Sequence, residues 1–399
     1  MLKEYLVSSG TNLITKQLSG VEASNFLTAN WAKTLEEENA VVSGAGVWVL
    51  LAALCQGAEG EALRELESAT GVEGTKALET MQEVLEILEH SPSLYSALGI
   101  WVQDYLHLKQ EWVEKMPKSS LGKLSGYQEH DQEILDFWAE QNTYGKISNF
   151  PLATNKETLM MLASAVGVST TWREEFWEKI KTYDSGAWKG ITATNLTVDS
   201  VYEDELRFLL SPIGPLTILQ WHGNEDVDVH LFLGQPEISP GEVLSTGIFC
   251  ATSPEATFPD CEEKHAPGIS VERIESYNGM DYLEVNLPAF KIKSSHDLLK
   301  TPELFGLKNA TDSSIGHFLG IAEEPLFVGA AKQEVVAEFK KDGFTAVSVT
   351  GTGMLAGSAM PQKKTLKKTS LVIDRPFGFA AIHRASKLCV FAGWVDRPE

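Results

Sequence analysis

The chain has 399 residues, of which 43% are hydrophobic and 22% charged, with a formal net charge of -22 at pH 7. This is the composition of a globular protein with room for one large domain or two or three ordinary ones. The acidic balance argues against a nucleic-acid partner, whose binding is driven by phosphate neutralisation. No window approaches the roughly 18 uninterrupted apolar residues of a membrane helix, so no membrane partner is expected either.

The N-terminal stretch MLKEYLVSSGTNLITKQLSG has no apolar core followed by a small-residue cleavage site. The expectation is a cytoplasmic product, with an extracellular one as the alternative. Residues 1–22 read as an N-terminal extension to a single domain over 23–399. The four cysteines, Cys55, Cys250, Cys261 and Cys389, include no CxxC pair and are too few for a disulfide scaffold. Cys55 and Cys389 lie in apolar runs and read as buried thiols. Cys250 and Cys261 flank a loop, which leaves a bridge between them open in an exported protein.

Helical patterns crowd the first third. Ser24 is placed to cap a helix carrying Phe26, Leu27, Trp31 and Leu35. Ser43 is placed to cap SGAGVWVLLAALCQGA, which is apolar nearly all round and therefore a buried helix, stopped at Gly57. Amphipathic helices follow over Glu59 to Ala69 and Lys76 to Glu89, the second with Leu78, Met81, Leu85 and Leu88 on one stripe. The period then changes, and Leu94 to Val102 alternates as a strand. Short helices are predicted over Lys109 to Met116 and Gln132 to Gln141. Leu159 to Thr170 is apolar and uncharged throughout, as a strand in the middle of a covered sheet would be.

Strand patterns dominate the remainder. Leu216 to Trp221 and Val227 to Leu233 are clear, and Glu237 to Ser245 is a short helical stretch. Tyr282 to Lys293 alternates, with Pro288 implying a bulge or bend. Asp297 to Leu304 is a brief helix and Leu326 to Phe339 another strand. The C-terminus is a hairpin with its turn at Ala385-Ser386. Helices first and strands later fit one large α+β domain.

Catalytic signals are weak. Ser120-x-x-Lys123 has a β-lactamase spacing without the KTG or SDN that should accompany it. There is no GxSxG. The glycines at Gly351, Gly353 and Gly357 do not open a helix, as a phosphate cradle requires. His222, Asp226, Asp228 and His230 read as strand alternation and surface solvation rather than a metal site. No metal, no cofactor and no enzymatic activity are expected. Trp101, Trp112 and Trp138 read as core or half-buried aromatics. Asn195-Leu196-Thr197 is a glycosylation sequon that matters only for a secreted protein.

The segment Glu338 to Gln362, EFKKDGFTAVSVTGTGMLAGSAMPQ, stands apart. It is too β-prone for a linker and lacks the large side chains of a core strand. Read with period two, Phe344, Ala346, Ser348, Thr350, Thr352 and Met354 share one face and Thr345, Val347, Val349 and Gly351 the other. Past Phe344 the first face is narrow enough to slide between two strands. The segment reads as loop in one state and strand in another. The basic cluster after it, Lys363, Lys364, Lys367 and Lys368, reads as a solvated tether, with a site for an acidic partner as the alternative.

Five motifs in order carry a family resemblance. Pro376-Phe377-x-Phe379 with Phe391-x-Gly393-x-Val395-x-x-Pro398 resembles the C-terminal signature of the serpins. Asn142-x-x-Gly145-Lys146-Ile147, Trp172-x-x-x-Phe176, Leu287-Pro288-x-Phe290-Lys291-Ile292 and Glu334 to Gly343 resemble further segments of that family, and the likeness runs from about Ala23 to Pro398. It implies three β-sheets with eight or nine helices and an exposed reactive loop at about 341–362, in a monomer. It implies a suicide inhibitor: a serine or cysteine protease forms an acyl-enzyme with the loop, and the loop then inserts into the main sheet. A non-inhibitory carrier, chaperone or protease substrate of the same fold is the alternative.

The resemblance also assigns residues. Lys341, Gly343, Phe344, Ala346, Ser348 and Thr350 form the hinge. Family spacing from Gly343 places the cleaved bond at Gly357-Ser358, with Met354, Leu355, Lys363 or Lys364 as alternatives. Trp172 belongs to the breach at the top of the sheet and Ser43, Ser164 and Gln333 to the shutter at its centre. Several of these depart from the family. Phe344 stands where Thr or Ser is usual, and Lys341 where Glu is. Ser43-Gly44 replaces Ser-Pro, Ser164 replaces Asn and Gln333 replaces His. Phe344 is expected to enter the sheet first and to slow that step through an overpacking cost of roughly 1–3 kcal/mol.

Overall fold

A computed structural model describes residues 18–117, 120–155, 158–200, 205–253, 258–276, 280–344 and 364–398. The first helix, α1 (Gly20–Ala32), begins earlier than the pattern suggested. Ser19, not Ser24, caps it, in a reciprocal box with Glu22, and Ser24 is buried one turn inside. Strand β1 (Ala40–Val42) leads to α2 (Gly44–Cys55), which Ser43 does cap by accepting from the Gly46 amide. α3 (Gly60–Thr70) stops at Gly71, whose φ of 71° is the left-handed conformation a helix stop favours. α4 (Ala77–His90) buries Met81, Leu85 and Leu88.

Then come β2 (Leu94–Gln103), α5 (Gln110–Val113), β3 (Leu121–Leu124) and α6 (Gln128–Asn142). Strands β4 (Met160–Val168) and β5 (Thr170–Thr171) follow almost without a break. β6 (Trp177–Thr182), β7 (Thr192–Ser200), β8 (Leu206–Ser211), β9 (Gly214–His222) and β10 (Val227–Leu233) come next. α7 runs over Pro240–Thr252, longer than the pattern suggested, with Ser239 as its cap.

After β11 (Ile269–Ser276), Pro288 does more than bend a strand. β12 (Tyr282–Pro288) and β13 (Phe290–Asp297) lie in different sheets, because proline has no N–H to continue a ladder. The helix expected over 297–304 is a single 3-10 turn, Leu298–Lys300, capped by Asp297. β14 (Lys332–Phe339) starts six residues later than expected, and β15 (Gly343–Phe344), β16 (Lys364–Val372), β17 (Phe377–His383) and β18 (Cys389–Val395) complete the chain. Seven α-helices are present among the described residues.

The strands form a six-stranded sheet (β1-β18-β17-β10-β9-β8) and a five-stranded sheet (β11-β16-β12-β7-β6). A four-stranded sheet (β13-β14-β15-β5) and a three-stranded sheet (β3-β2-β4) make up the rest. Three sheets were expected; the third is split in two. Its halves share one run of chain, β4 into β5, and meet through β15. β4 was expected in the middle of a covered sheet. Among the described residues it is paired along its length with β2 alone, and its burial alternates. The principal core runs from α1 and α2 through the six-stranded sheet. A second, smaller core of Trp101, Leu124, Leu135, Ala139, Phe150, Leu152, Met161 and Ala163 joins α6 to β2, β3 and β4.

Candidate functional site

The site is built from the two ends of the gap between β14 and β4. At the upper end the gap is closed. Lys340 to Gly343 forms a tight turn, with the Lys340 amide donating to the Gly343 carbonyl at 2.9 Å. The chain then reverses, and Phe344 pairs with Phe339 of β14 on one side and Thr170 of β5 on the other. Phe344 is therefore held between β14 and β5, only 1% exposed.

Phe344, expected to enter the sheet first and to slow that step, is already buried among aromatic rings. Phe379 lies 6.3 Å away and stacks in turn against Phe290 at 4.8 Å. Phe290 stacks on Phe339 at 5.4 Å, and Phe339 on Trp172 at 4.6 Å. An aromatic-lined slot receives an aromatic ring without overpacking.

Trp172 holds this end shut. Its indole N–H donates to the Lys340 carbonyl at 2.7 Å and its amide to the Asp342 carbonyl at 3.1 Å. The Phe176 amide donates to the Lys341 carbonyl at 2.8 Å, and the Lys341 ammonium reaches Glu178 at 3.5 Å. Lys341 thus makes its own exposed ion pair where the family carries Glu.

Behind β5, the β9–β10 turn pins the strand. The Asn224 amide donates to the Thr171 carbonyl at 2.8 Å, and Trp172 bridges Gly223. A Cβ on Gly223 would overlap the Val227 carbonyl and the Thr170 hydroxyl. That turn is fixed by Asp228, 1% exposed, which accepts from Arg384 Nη2 at 2.6 Å and from Gln220 at 2.8 Å and lies 3.1 Å from His222 Nδ1. Burial opposes ionisation of Asp228, but hydrogen bonds from His222, Arg384 and Gln220 win and hold its carboxyl well below the usual range. Asp226 and His383 pair beside it at 3.2 Å. These residues were expected to be solvated surface; Asp228 and His230 are buried, because the strand pair that carries them is covered by the turn of the C-terminal hairpin.

At the lower end the gap is open. Among the described residues no ladder joins β14 to β4. A cavity of about 80 Å³ lies between them, lined by both strands, by α2 and by Trp138 and Ala139 of α6. Ser43, Ser164 and Gln333 all line it. Gln333 accepts from the Ser43 amide at 2.9 Å and donates to its carbonyl at 2.8 Å. The Ser43 hydroxyl donates to the Val390 carbonyl at 2.9 Å, and the Ser164 hydroxyl to the Gly46 carbonyl at 2.7 Å. The substitution of Gly44 for proline has a steric reason: any Cβ there would overlap the Thr28 side chain.

The remaining sequence-assigned residues, Ala346, Ser348, Thr350, Met354, Leu355, Gly357, Ser358 and Lys363, lie outside the described residues. The basic cluster does not form a free patch. Lys367 pairs with Glu263 at 2.7 Å and Lys368 with Glu284 at 3.0 Å, both within β16 and its neighbours. Asn195 is 1% exposed in β7, so its sequon is inaccessible in the folded chain. Cys250 and Cys261 are both free, Cys250 inside α7 with burial pushing its thiol up to about 12. The role of Arg384, Gly223 and Thr28 was not read from the sequence. The one local signal was a glycine, Gly44, at the start of an otherwise strong helix.

Comparison with known proteins extends this picture. The sequence profile of the family described as Serpin (serine protease inhibitor) matches residues 23–187 and 255–398. Glia-derived nexin of Rattus norvegicus is 23% identical over 383 residues, covering 92% of this chain and 89% of its own. Plasminogen activator inhibitor 2 of Homo sapiens is 24% identical over 306 residues, covering 74% and 67%. The same fold is found in Serpin48, described as a highly specific serpin in the insect Tenebrio molitor, with a TM-score of 0.71, 19% identity and coverage of 95% and 98%. It is found also in the native state of the thermophilic serpin Tengpin, with a TM-score of 0.72, 16% identity and coverage of 95% and 94%. With a profile matched over most of its length, the chain belongs to the serpin family.

Proposed function

We propose that the protein is a suicide inhibitor of a serine or cysteine protease, not an enzyme, and that it traps the acyl-enzyme by inserting its own loop into the main sheet. One observation carries this reading. β14 and β4 flank one cavity with no ladder between them among the described residues, and Gly343 and Phe344 form a short strand between β14 and β5 at its upper end. Continuing the observed register past Phe344 sets Ala346 opposite Ala337, and Thr350 between Gln333 and Ser164. These are small or polar positions facing a polar cluster.

Each added residue gains strand hydrogen bonds worth roughly 0.5–1.5 kcal/mol net. Ten such residues with a partner on either side release an energy comparable with the roughly 5–15 kcal/mol stability of an ordinary domain. The cleaved loop end, carrying the ester-linked protease, would be drawn down the sheet with it. Gly357-Ser358 is the bond expected to be cut, by a protease with an elastase-like or subtilisin-like pocket. The second reading, a carrier or a protease substrate, is favoured by Phe344, since a hinge residue already anchored in an aromatic slot restrains the loop that a protease must reach.

Mixing the protein with elastase, subtilisin, chymotrypsin and trypsin separates the two. An adduct that survives SDS, with the cut site at Gly357-Ser358, supports inhibition. Clean cleavage with no adduct and no rise in thermal stability of the cut protein would sink it and leave the substrate reading.

A further inference from the structure

We infer that the free edge of β6, centred on Trp177 and Lys179, is a second contact surface for the protease that engages the loop. This rests on the proposed function. β6 ends the five-stranded sheet, with β7 as its only partner strand among the described residues. Trp177 is 79% exposed. Lysines on an edge strand are a common guard against unwanted pairing, and Lys179 fits that. Trp177 does the opposite: an exposed indole beside an unpaired strand edge invites contact, and tryptophan is the residue type most enriched at interface hot spots. Trp177 and Lys179 point to the same face of the strand, and Lys179 has no ion pair among the described residues.

The position of β6 decides the occupant. It is tied directly to the root of the loop, through the Phe176 amide on the Lys341 carbonyl and through Glu178 on Lys341. The other root of the loop is β16, in the same sheet, three strands away across β7 and β12, or roughly 15 Å. Residues 345–363 connect the two roots, and their fully extended reach is roughly 60–70 Å. A protease of ordinary size has a radius of gyration of roughly 17 Å, so one gripping that segment is held above this sheet, within contact range of β6. A complementary surface is an apolar patch rimmed by carboxylates beside the protease's active-site cleft.

The test uses the full chain and whichever of elastase, subtilisin, chymotrypsin or trypsin cuts the loop, whether or not an adduct forms. The second-order rate of loop attack is measured for wild type, Trp177→Ala, Lys179→Glu and, as a control, Tyr127→Ala, which removes an equally exposed aromatic at the start of α6. Trp177→Ala should slow attack about tenfold or more, and Lys179→Glu severalfold with a weaker salt dependence. Tyr127→Ala should leave the rate unchanged, and all variants should keep the wild-type thermal midpoint and ratio of adduct to cleaved product. A rate for Trp177→Ala within twofold of wild type overturns the inference while leaving the inhibitor reading intact. So does concentration-dependent self-association in sedimentation that Trp177→Ala abolishes, which would make the surface a contact between copies of this chain. If no protease attacks the loop at all, the functional reading itself fails, and this inference with it.

Discussion

The two ends of the same sheet gap are held in opposite ways. At the upper end the wall is aromatic: Trp172, Phe290, Phe339, Phe344 and Phe379 pack in tilted and stacked pairs, and backbone hydrogen bonds run across β14, β15 and β5. At the lower end the wall is small and polar: Gln333 bonds to Ser43 and Ser164 to Gly46 around a cavity of about 80 Å³, with no ladder between β14 and β4 among the described residues. Apolar stacking resists water and favours a closed, dry seam. A polar network around a void is stable while its groups are satisfied, and it offers partners to an incoming strand.

Substitutions rank the strength of each end. Trp172→Ala removes a buried ring, a hydrogen bond to Lys340 and a stacking partner of Phe339 at once. A loss of about 3–5 kcal/mol is expected in equilibrium denaturation, with residues 340–344 becoming susceptible to limited proteolysis. If those residues stay protected, the upper end is not held by Trp172.

The lower end should respond less. Gly44→Ala forces the start of α2 away from Thr28, at about 1–3 kcal/mol. Gln333→Ala strands the Ser43 amide without its partner, at a similar or smaller cost. Either change should leave proteolysis at 340–344 as in wild type, and coupling between the two ends would show as altered cleavage there.

Acid should act on the upper end through His230. Burial lowers its pKa to about 3, against roughly 6.5 in an unfolded chain. The unfolded state therefore takes up the proton first, so stability is full above about pH 6.5 and falls as pH drops toward 3. The slope is on the order of 1 kcal/mol per pH unit, and His230→Phe should flatten the denaturation midpoint over that window. An unchanged profile in the variant would assign the acid response to other groups.

Lys341→Ala breaks only a half-exposed ion pair with Glu178. A change of no more than about 1 kcal/mol is expected, shrinking with added salt. A larger effect would mean that Lys341 helps to hold Phe344 in its slot.

Much of the local structure was legible in the chain. The caps at Ser43, the stop at Gly71, the alternation of β2 and the C-terminal hairpin follow from neighbours within a few residues, where dihedral preferences and capping hydrogen bonds act. Boundaries moved where a better local cap competed, as Ser19 with Glu22 did against Ser24. The shutter residues were found by their family positions, but their pairing joins Ser43 to Gln333, 290 residues apart. The burial of Asp228 and His230 was missed because alternation alone does not say which face of a strand another element covers.

The sequence by itself determined that the residues just after Phe344 are mostly small and β-prone, since side-chain volume and period are properties of the chain alone. Only the tertiary structure decided that Phe344 is already inside the sheet. The room for its ring is made by Thr170, Phe339 and Phe379, which come from three separate strands, and packing between such distant segments is set by the fold and not by any local pattern.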